Sequence, residues 1–200
     1  LIRNDEKNYK NLAGLISDAR LAGLIDWDAI EDRGREPEIP LEFDDLRERV
    51  DSAIANYRLP RWAGQDNYVE LWVEKQALAG VLQPLAREFH VTLMINKGYS
   101  SQSAMYAASR RYLYACDDDA REPHLFYLGD HDPSGEDMVR DIRDRLEMFG
   151  VEGIRVAKIA LTTEQVHQYT PPPNPAKMSD SRARAYVAIH GRRSWEVDAL

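Results

Sequence analysis

Leu125-Phe126-Tyr127-Leu128-Gly129-Asp130-His131-Asp132-Pro133-Ser134-Gly135 is the stretch from which the fold is read. Its apolar start has the length and content of a buried strand. Two carboxylates spaced i, i+2 stand at its C-terminal end. Alternation along an extended chain sends Asp130 and Asp132 to the same side, within reach of one hard cation such as Mg²⁺. Pro133 suits the first turn of a helix, where its missing N–H goes unused. Gly129 and Gly135 flank the acids where a sharp turn or a close approach would need them. Upstream, Tyr68-Val69-Glu70-Leu71-Trp72-Val73-Glu74-Lys75 is a second apolar run that ends in Glu74 just before a helical pattern. In an open α/β sheet the working residues gather at the carboxyl ends of strands. Three acids from two strand ends therefore predict a metal site, and the metal predicts phosphate chemistry.

The pattern around these runs is regular. It predicts strands over Tyr68–Val73, Val91–Ile95, His124–Leu128 and Gly153–Ala160, alternating with helices over Lys75–Phe89, Ser101–Cys116 and Ser134–Phe149. Strands alternating with helices of this length define an α/β fold, a mainly parallel four-stranded sheet flanked by crossover helices. Thr162 to Tyr169 reads as a short helix, Pro171 to Pro175 as an extended spacer, and the tail carries Arg182, Arg184, Arg192 and Arg193. Ahead of the sheet, Asn4 to Ile25 has helical spacing at Tyr9, Leu12, Leu15, Ile16, Ala19 and Leu24, with Gly23 as a stop signal. Trp27 to Ile30 reads as a short strand leading to a charged tip, Glu31 to Arg35. Two readings fit this unit: the rear half of a winged helix-turn-helix, or a plain helix and loop packing on the next domain. Pro37 and Pro40 separate it from a helix over Phe43–Tyr57, and Leu59 to Gly64 is a linker. The expected organisation is a partial winged-helix-like element over 1–36, a helix and linker over 37–66, the sheet domain over 67–165 and its C-terminal extension over 166–200.

Composition narrows the function classes. Lys and Arg number 26 against 34 Asp and Glu, a net charge of −8. That argues against a passive nucleic-acid coat, whose affinity rests on phosphate neutralisation, but leaves room for an enzyme with local basic patches. Cys116 is the only cysteine, so a disulfide within the chain is impossible and a reducing, cytoplasmic compartment is expected. No apolar run reaches membrane-spanning length and no signal-peptide pattern opens the chain. The chain starts without Met inside a charged helical pattern, so it reads as a fragment of a longer protein. His90, His124, His167 and His190 form no zinc spacing. Alternation points His131 away from its flanking aspartates, toward a packing or solvated role. Ser100, Ser101 and Ser103 fit either a phosphate-binding turn or simple helix capping. Arg110, Arg111 and the tail arginines fit either phosphate contacts or pairing with carboxylates.

A lone Asp-x-Asp is common in loops after strands, and a lone Glu at a helix start is explained by the helix dipole. The conjunction is more specific. Val73-Glu74-Lys75, Lys97-Gly98 and Gly129-Asp130-His131-Asp132-Pro133-Ser134-Gly135, each following a strand, together resemble the Toprim domain. That domain occurs in topoisomerases, bacterial-type primases, OLD-family nucleases and recombination proteins. The form Asp-x-Asp-Pro-x-Gly is most similar to the A subunit of topoisomerase VI and its relative, the meiotic double-strand-break protein. Trp195-Glu196-Val197-Asp198-Ala199-Leu200 is similar to an acid-rich segment near the end of those Toprim regions. The resemblance covers residues 67 to 200. It implies that Glu74, Asp130 and Asp132 hold Mg²⁺, with Mn²⁺ as a substitute, and that Glu74 serves as general acid or base. It implies DNA as the partner and metal-dependent DNA strand cleavage, topoisomerase-like or nuclease, and it leaves room for a homodimer and an ATPase partner subunit. Glu136 reads as a helix-dipole acid.

One departure stands out. Topoisomerase relatives attack DNA with a tyrosine on the winged-helix domain. Tyr9 is the only tyrosine in the first fifty residues, and its place on an apolar stripe predicts a core role. The alternative to catalysis is a non-catalytic DNA-binding or regulatory module that uses the Toprim fold as scaffold. The net charge of −8 favours that alternative, and the intact acid trio counts against it.

Overall fold

The computed structural model describes residues 6–30, 40–59 and 61–199. The chain divides into two compact units, Leu1–Tyr57 and Arg58–Leu200.

The first unit carries helices α1 (Glu6–Leu21) and α2 (Leu46–Asn56). Asp45 caps α2 by accepting from the Glu48 backbone N–H at 2.8 Å, which satisfies one of the free donors of the first turn. The strand expected over Trp27–Ile30 is instead a 3₁₀ turn, Trp27–Ala29. The Asp26 side chain accepts from the Asp28 N–H at 2.9 Å, and Arg20 lies over the Trp27 ring and donates to the Trp27 carbonyl. These local bonds hold the backbone in a turn and outcompete the strand propensity. The charged tip expected at Glu31 to Arg35 falls outside the described residues. Tyr9, expected in a core, is 73% exposed. Among the described residues of this unit none is buried.

The second unit is built on four parallel strands: β1 (Asn67–Val73), β2 (Thr92–Ile95), β3 (Glu122–Leu128) and β4 (Arg155–Ala160). Their order is β2-β1-β3-β4, with every neighbouring pair parallel, and the parallel four-stranded α/β sheet is what the alternation predicts. The crossover helices are α3 (Ala79–Phe89), α4 (Gln102–Asp119) and α5 (Pro133–Met148). Trp72, Leu125 and Tyr127 of the sheet meet Met105, Ala108 and Tyr112 of α4 and Met138, Ile142 and Leu146 of α5 in one buried cluster. Removing such apolar area from water is the main force holding sheet and helices together. A second cluster joins Leu161, Val166 and Val197, with Leu78 and Leu128 against it. Local signals set the helix starts: Ser101 caps α4, and a Thr162–Gln165 capping box opens α6 (Thr163–Tyr169). For Ser101 the capping reading is therefore the one observed.

The C-terminal segment goes beyond an extended spacer and tail. Asn174–Pro175 forms β5, paired antiparallel with β6 (Arg193–Ser194), and α7 (Ala183–His190) lies between them. This hairpin carries the chain back to the sheet. Trp195 and His131 then exchange two backbone hydrogen bonds of 2.8 and 3.0 Å.

Candidate metal centre

The two strand-end acids leave the sheet side by side because β1 and β3 are neighbours in register, Val73 opposite Leu128. The Glu74 N–H donates to the Leu128 carbonyl at 2.8 Å. Two residues on, the Asp130 N–H donates to Glu74 Oε2 at 3.0 Å, and the Tyr127 hydroxyl donates to the same oxygen at 3.1 Å. Glu74 is thus oriented by its neighbour strand. Burial, followed by the Glu74 charge, pushes the Tyr127 hydroxyl well above its ordinary range, so it remains a donor.

Asp130 is buried. Its Oδ1 accepts from the Val197 N–H at 2.9 Å, a contact across 67 residues of chain. Its Oδ2 lies 3.3 Å from Lys75 Nζ. The same ammonium lies 3.0 Å from Asp198 Oδ1 and pairs with Glu196. Burial raises the Asp130 carboxyl to about 6, aided by the nearby Glu74 charge and opposed by the Val197 N–H and Lys75. For Lys75 burial alone would favour the neutral amine. Its bonds to Glu196 and Asp198 and the charge of Asp130 outweigh that and hold it above the usual lysine range.

Among the described residues, Asp130, Glu196 and Asp198 form the group of potential ligands whose oxygens all lie within 4.8 Å of one another. Glu74 and Asp132 stand outside that group. Asp132 is the N-cap of α5: its Oδ1 accepts from the Gly135 N–H at 2.6 Å and from the Ser134 hydroxyl at 2.9 Å. Alternation sets side-chain direction only while the chain stays in a strand, and β3 ends at Leu128. Past that point the unpaired N–H groups of α5 claim the carboxylate. The glycines act as expected: a Cβ on Gly135 would overlap the Asp130 carbonyl, and one on Gly129 would overlap the Tyr127 ring.

Lys75, Glu196 and Asp198 were not assigned to the site from sequence. The signal for the last two was the acid-rich end segment, noted for its resemblance alone. His131 takes the packing role: it is 1% exposed, its Nε2 lies 3.1 Å from Thr163 Oγ1, and its ring meets those of Tyr186, His190 and Trp195. Glu136 lies 3.1 Å from His131 Nδ1 and accepts from Lys158 at 2.6 Å. Although burial raises its pKa, these two partners overcome that and hold the carboxyl down to about 2. Arg111 pairs with the buried Glu70 at 2.8 Å, and Arg182 pairs with Asp137 and Asp180.

No family model matches the chain, and no curated protein and no solved structure matches it either. None of the described helices is long and apolar enough to cross a membrane.

Proposed function

We propose that the chain is a Mg²⁺-dependent enzyme that cleaves DNA phosphodiesters, in the manner of a topoisomerase or a nuclease. The observation that carries this reading is the convergence of Asp130, Glu196 and Asp198 within 4.8 Å at the carboxyl edge of a parallel sheet. The donor set fits the ion: it is all oxygen, and partial exposure of Glu196 and Asp198 leaves room for the waters that Mg²⁺ retains. Asp130, Glu196 and Asp198 would hold the metal, with Glu74 beside them and Asp132 joined through the first turn of α5. The ion, when bound, supplies charge stabilisation to a phosphoryl group and its leaving oxygen.

The chain's own groups have distinct tasks. Asp130, at about 6, is ionised at neutral pH and able to serve as a ligand. Glu74, oriented by Tyr127 and the Asp130 N–H, stands ready to take or return a proton. Lys75 offers a point charge suited to a phosphate oxygen. A supercoiled plasmid incubated with Mg²⁺ or Mn²⁺ should be nicked or cut by the wild type and left intact by Asp130→Ala. Equal cutting by both would remove these acids from the mechanism.

A second reading, a non-catalytic module that uses the fold as scaffold, is favoured by one observation. Lys75 already sits among the three carboxylates and neutralises part of their charge. Binding of DNA without cutting under every metal condition would support it.

A further inference from the structure

The loop after β2 begins with a polar group that the fold leaves unpaired. Asn96 is 7% exposed, and among the described residues neither Oδ1 nor Nδ2 of its amide has a hydrogen-bond partner. Both atoms are also shut off from water. Burying an amide without partners is costly, and each such exception calls for a reason. The backbone here is stapled to β1. The Asn96 N–H donates to the Val73 carbonyl at 2.8 Å, and the Lys97 N–H donates to the Glu74 carbonyl at 3.0 Å. Lys97 (φ 52°) and Gly98 (φ 84°) then turn the chain away from the strand.

Register identifies the neighbour of this amide. β1 and β2 pair in parallel with Val73 opposite Ile95, so Glu74 and Asn96 form the next pair. Two residues earlier, Trp72 and Met94 belong to the cluster that also holds Tyr127, and the Tyr127 hydroxyl reaches Glu74. The bond from Asn96 to Val73 continues the pairing past the last strand residue, so the period of two puts Glu74 and Asn96 on that same face. Adjacent strands lie about 4.8 Å apart, a spacing that two such side chains span. Glu74 Oε2 accepts from the Asp130 N–H and the Tyr127 hydroxyl, while Oε1 accepts from no donor among the described residues.

We propose that Asn96 is a positioning residue: in the working state its Nδ2 donates to Glu74 Oε1 and fixes the carboxylate for proton transfer. The inference rests on the role proposed above for Glu74 in DNA cleavage. Three neutral donors then hold Glu74, two on Oε2 and one on Oε1, and they orient it without cancelling its charge. A bond made only in the working state raises kcat rather than affinity.

The test uses the 200-residue chain with Asn96→Leu, which keeps the branching of the side chain without its polar atoms, and Asn96→Ala, which cannot overpack. At least one of the two should match or exceed the wild-type urea midpoint in EDTA, because an unpaired amide is removed and no bond is lost. The rise in melting temperature with Mn²⁺ should match the wild type in both, since Asn96 is bonded to none of Asp130, Glu196 and Asp198. In nicking of supercoiled plasmid with Mn²⁺, kcat should fall about tenfold in both, the loss of one hydrogen bond to a charged group, with KM for plasmid unchanged. Wild-type kcat in both variants, a weakened Mn²⁺ response in both, or a lower urea midpoint in both overturns the proposal. The metal reading is judged separately: it stands if Mn²⁺ stabilises the wild type and Asp130→Ala does not nick. A wild type that never nicks removes both.

Discussion

Lys75 Nζ lies 3.3 Å from Asp130 Oδ2, and that single ammonium also joins Glu196 and Asp198. One positive charge therefore stands where three negative charges converge. Without a counter-charge the carboxylates would repel one another and at least one would hold its proton more tightly. A divalent ion neutralises the same oxygens, so metal and Lys75 compete for one role.

That competition has a measurable sign. Lys75→Met should lose about 2 kcal/mol of stability in EDTA, through the loss of charged hydrogen bonds. It should gain more from Mn²⁺ than the wild type does, because no ammonium opposes the ion. Linkage gives RT ln(1 + [L]/Kd), about 1.4 kcal/mol at a tenfold excess of metal over Kd. Sites with few carboxylates bind weakly, so the wild-type melting temperature should rise only at millimolar Mn²⁺. In Asp130→Asn the rise should shrink. A wild type indifferent to metal would count against the site.

Two carboxyls should give stability opposite slopes with pH. Asp130 moves from 3.8 to about 6 on folding, chiefly by burial, so the folded state binds its proton more tightly than the unfolded chain. Stability from this group is complete below about pH 4 and falls as pH rises through about 6. Glu136 moves from 4.5 to about 2: burial opposes the shift, and His131 and Lys158 outweigh it. Its contribution is present above about 4.5 and is lost as pH falls toward 2. Urea melts in EDTA across this range check both. Asp130→Asn should flatten the decline between pH 4 and 6, and Glu136→Gln should flatten the acid limb.

Glu70 is fully buried and accepts from the Tyr68 hydroxyl at 2.9 Å, the Trp72 indole at 2.8 Å, and Arg111 Nε and Nη2 at 2.8 Å each. The Arg111 side chain is 37% exposed and can be solvated, so removing Glu70 strands chiefly the buried Trp72 indole N–H, at about 1–3 kcal/mol. Glu70→Ala should cost that much by urea denaturation. A loss below about 1 kcal/mol for Glu70→Ala would deny the pair its structural role.

Gly135 sits in the first turn of α5, where alanine would ordinarily gain about 0.5–1 kcal/mol. Its Cβ would overlap the Asp130 carbonyl, and overpacking costs about 1–3 kcal/mol. The steric term is the larger, so Gly135→Ala should destabilise the protein and distort the metal centre. Gly14, on α1 with nothing within 4 Å of its Cβ, is the control. Gly14→Ala should stabilise its helix by about 0.5–1 kcal/mol, read as added helicity.

The alternation of strand and helix, the parallel sheet and the placement of Glu74 and Asp130 just past strand ends were legible from residue order, whereas the pairing of β1 with β3 that sets them side by side was not. The legible features rest on period, capping and turn chemistry, which act over a few residues. The same short range explains what was misread. At Asp132 the period-two rule was carried past the end of β3, where helix capping takes over. At Trp27 a side-chain bond from Asp26 converted an apparent strand into a turn, and for Tyr9 an apolar stripe proved no guarantee of burial. Only the tertiary structure could bring Glu196 to Lys75 across 121 residues, through the β5–β6 hairpin and the Trp195–His131 bridge. Convergence of charges depends on where a distant segment returns, and that return is set by the packing of Val197 with Leu161 and Val166, which no local pattern around the acids encodes.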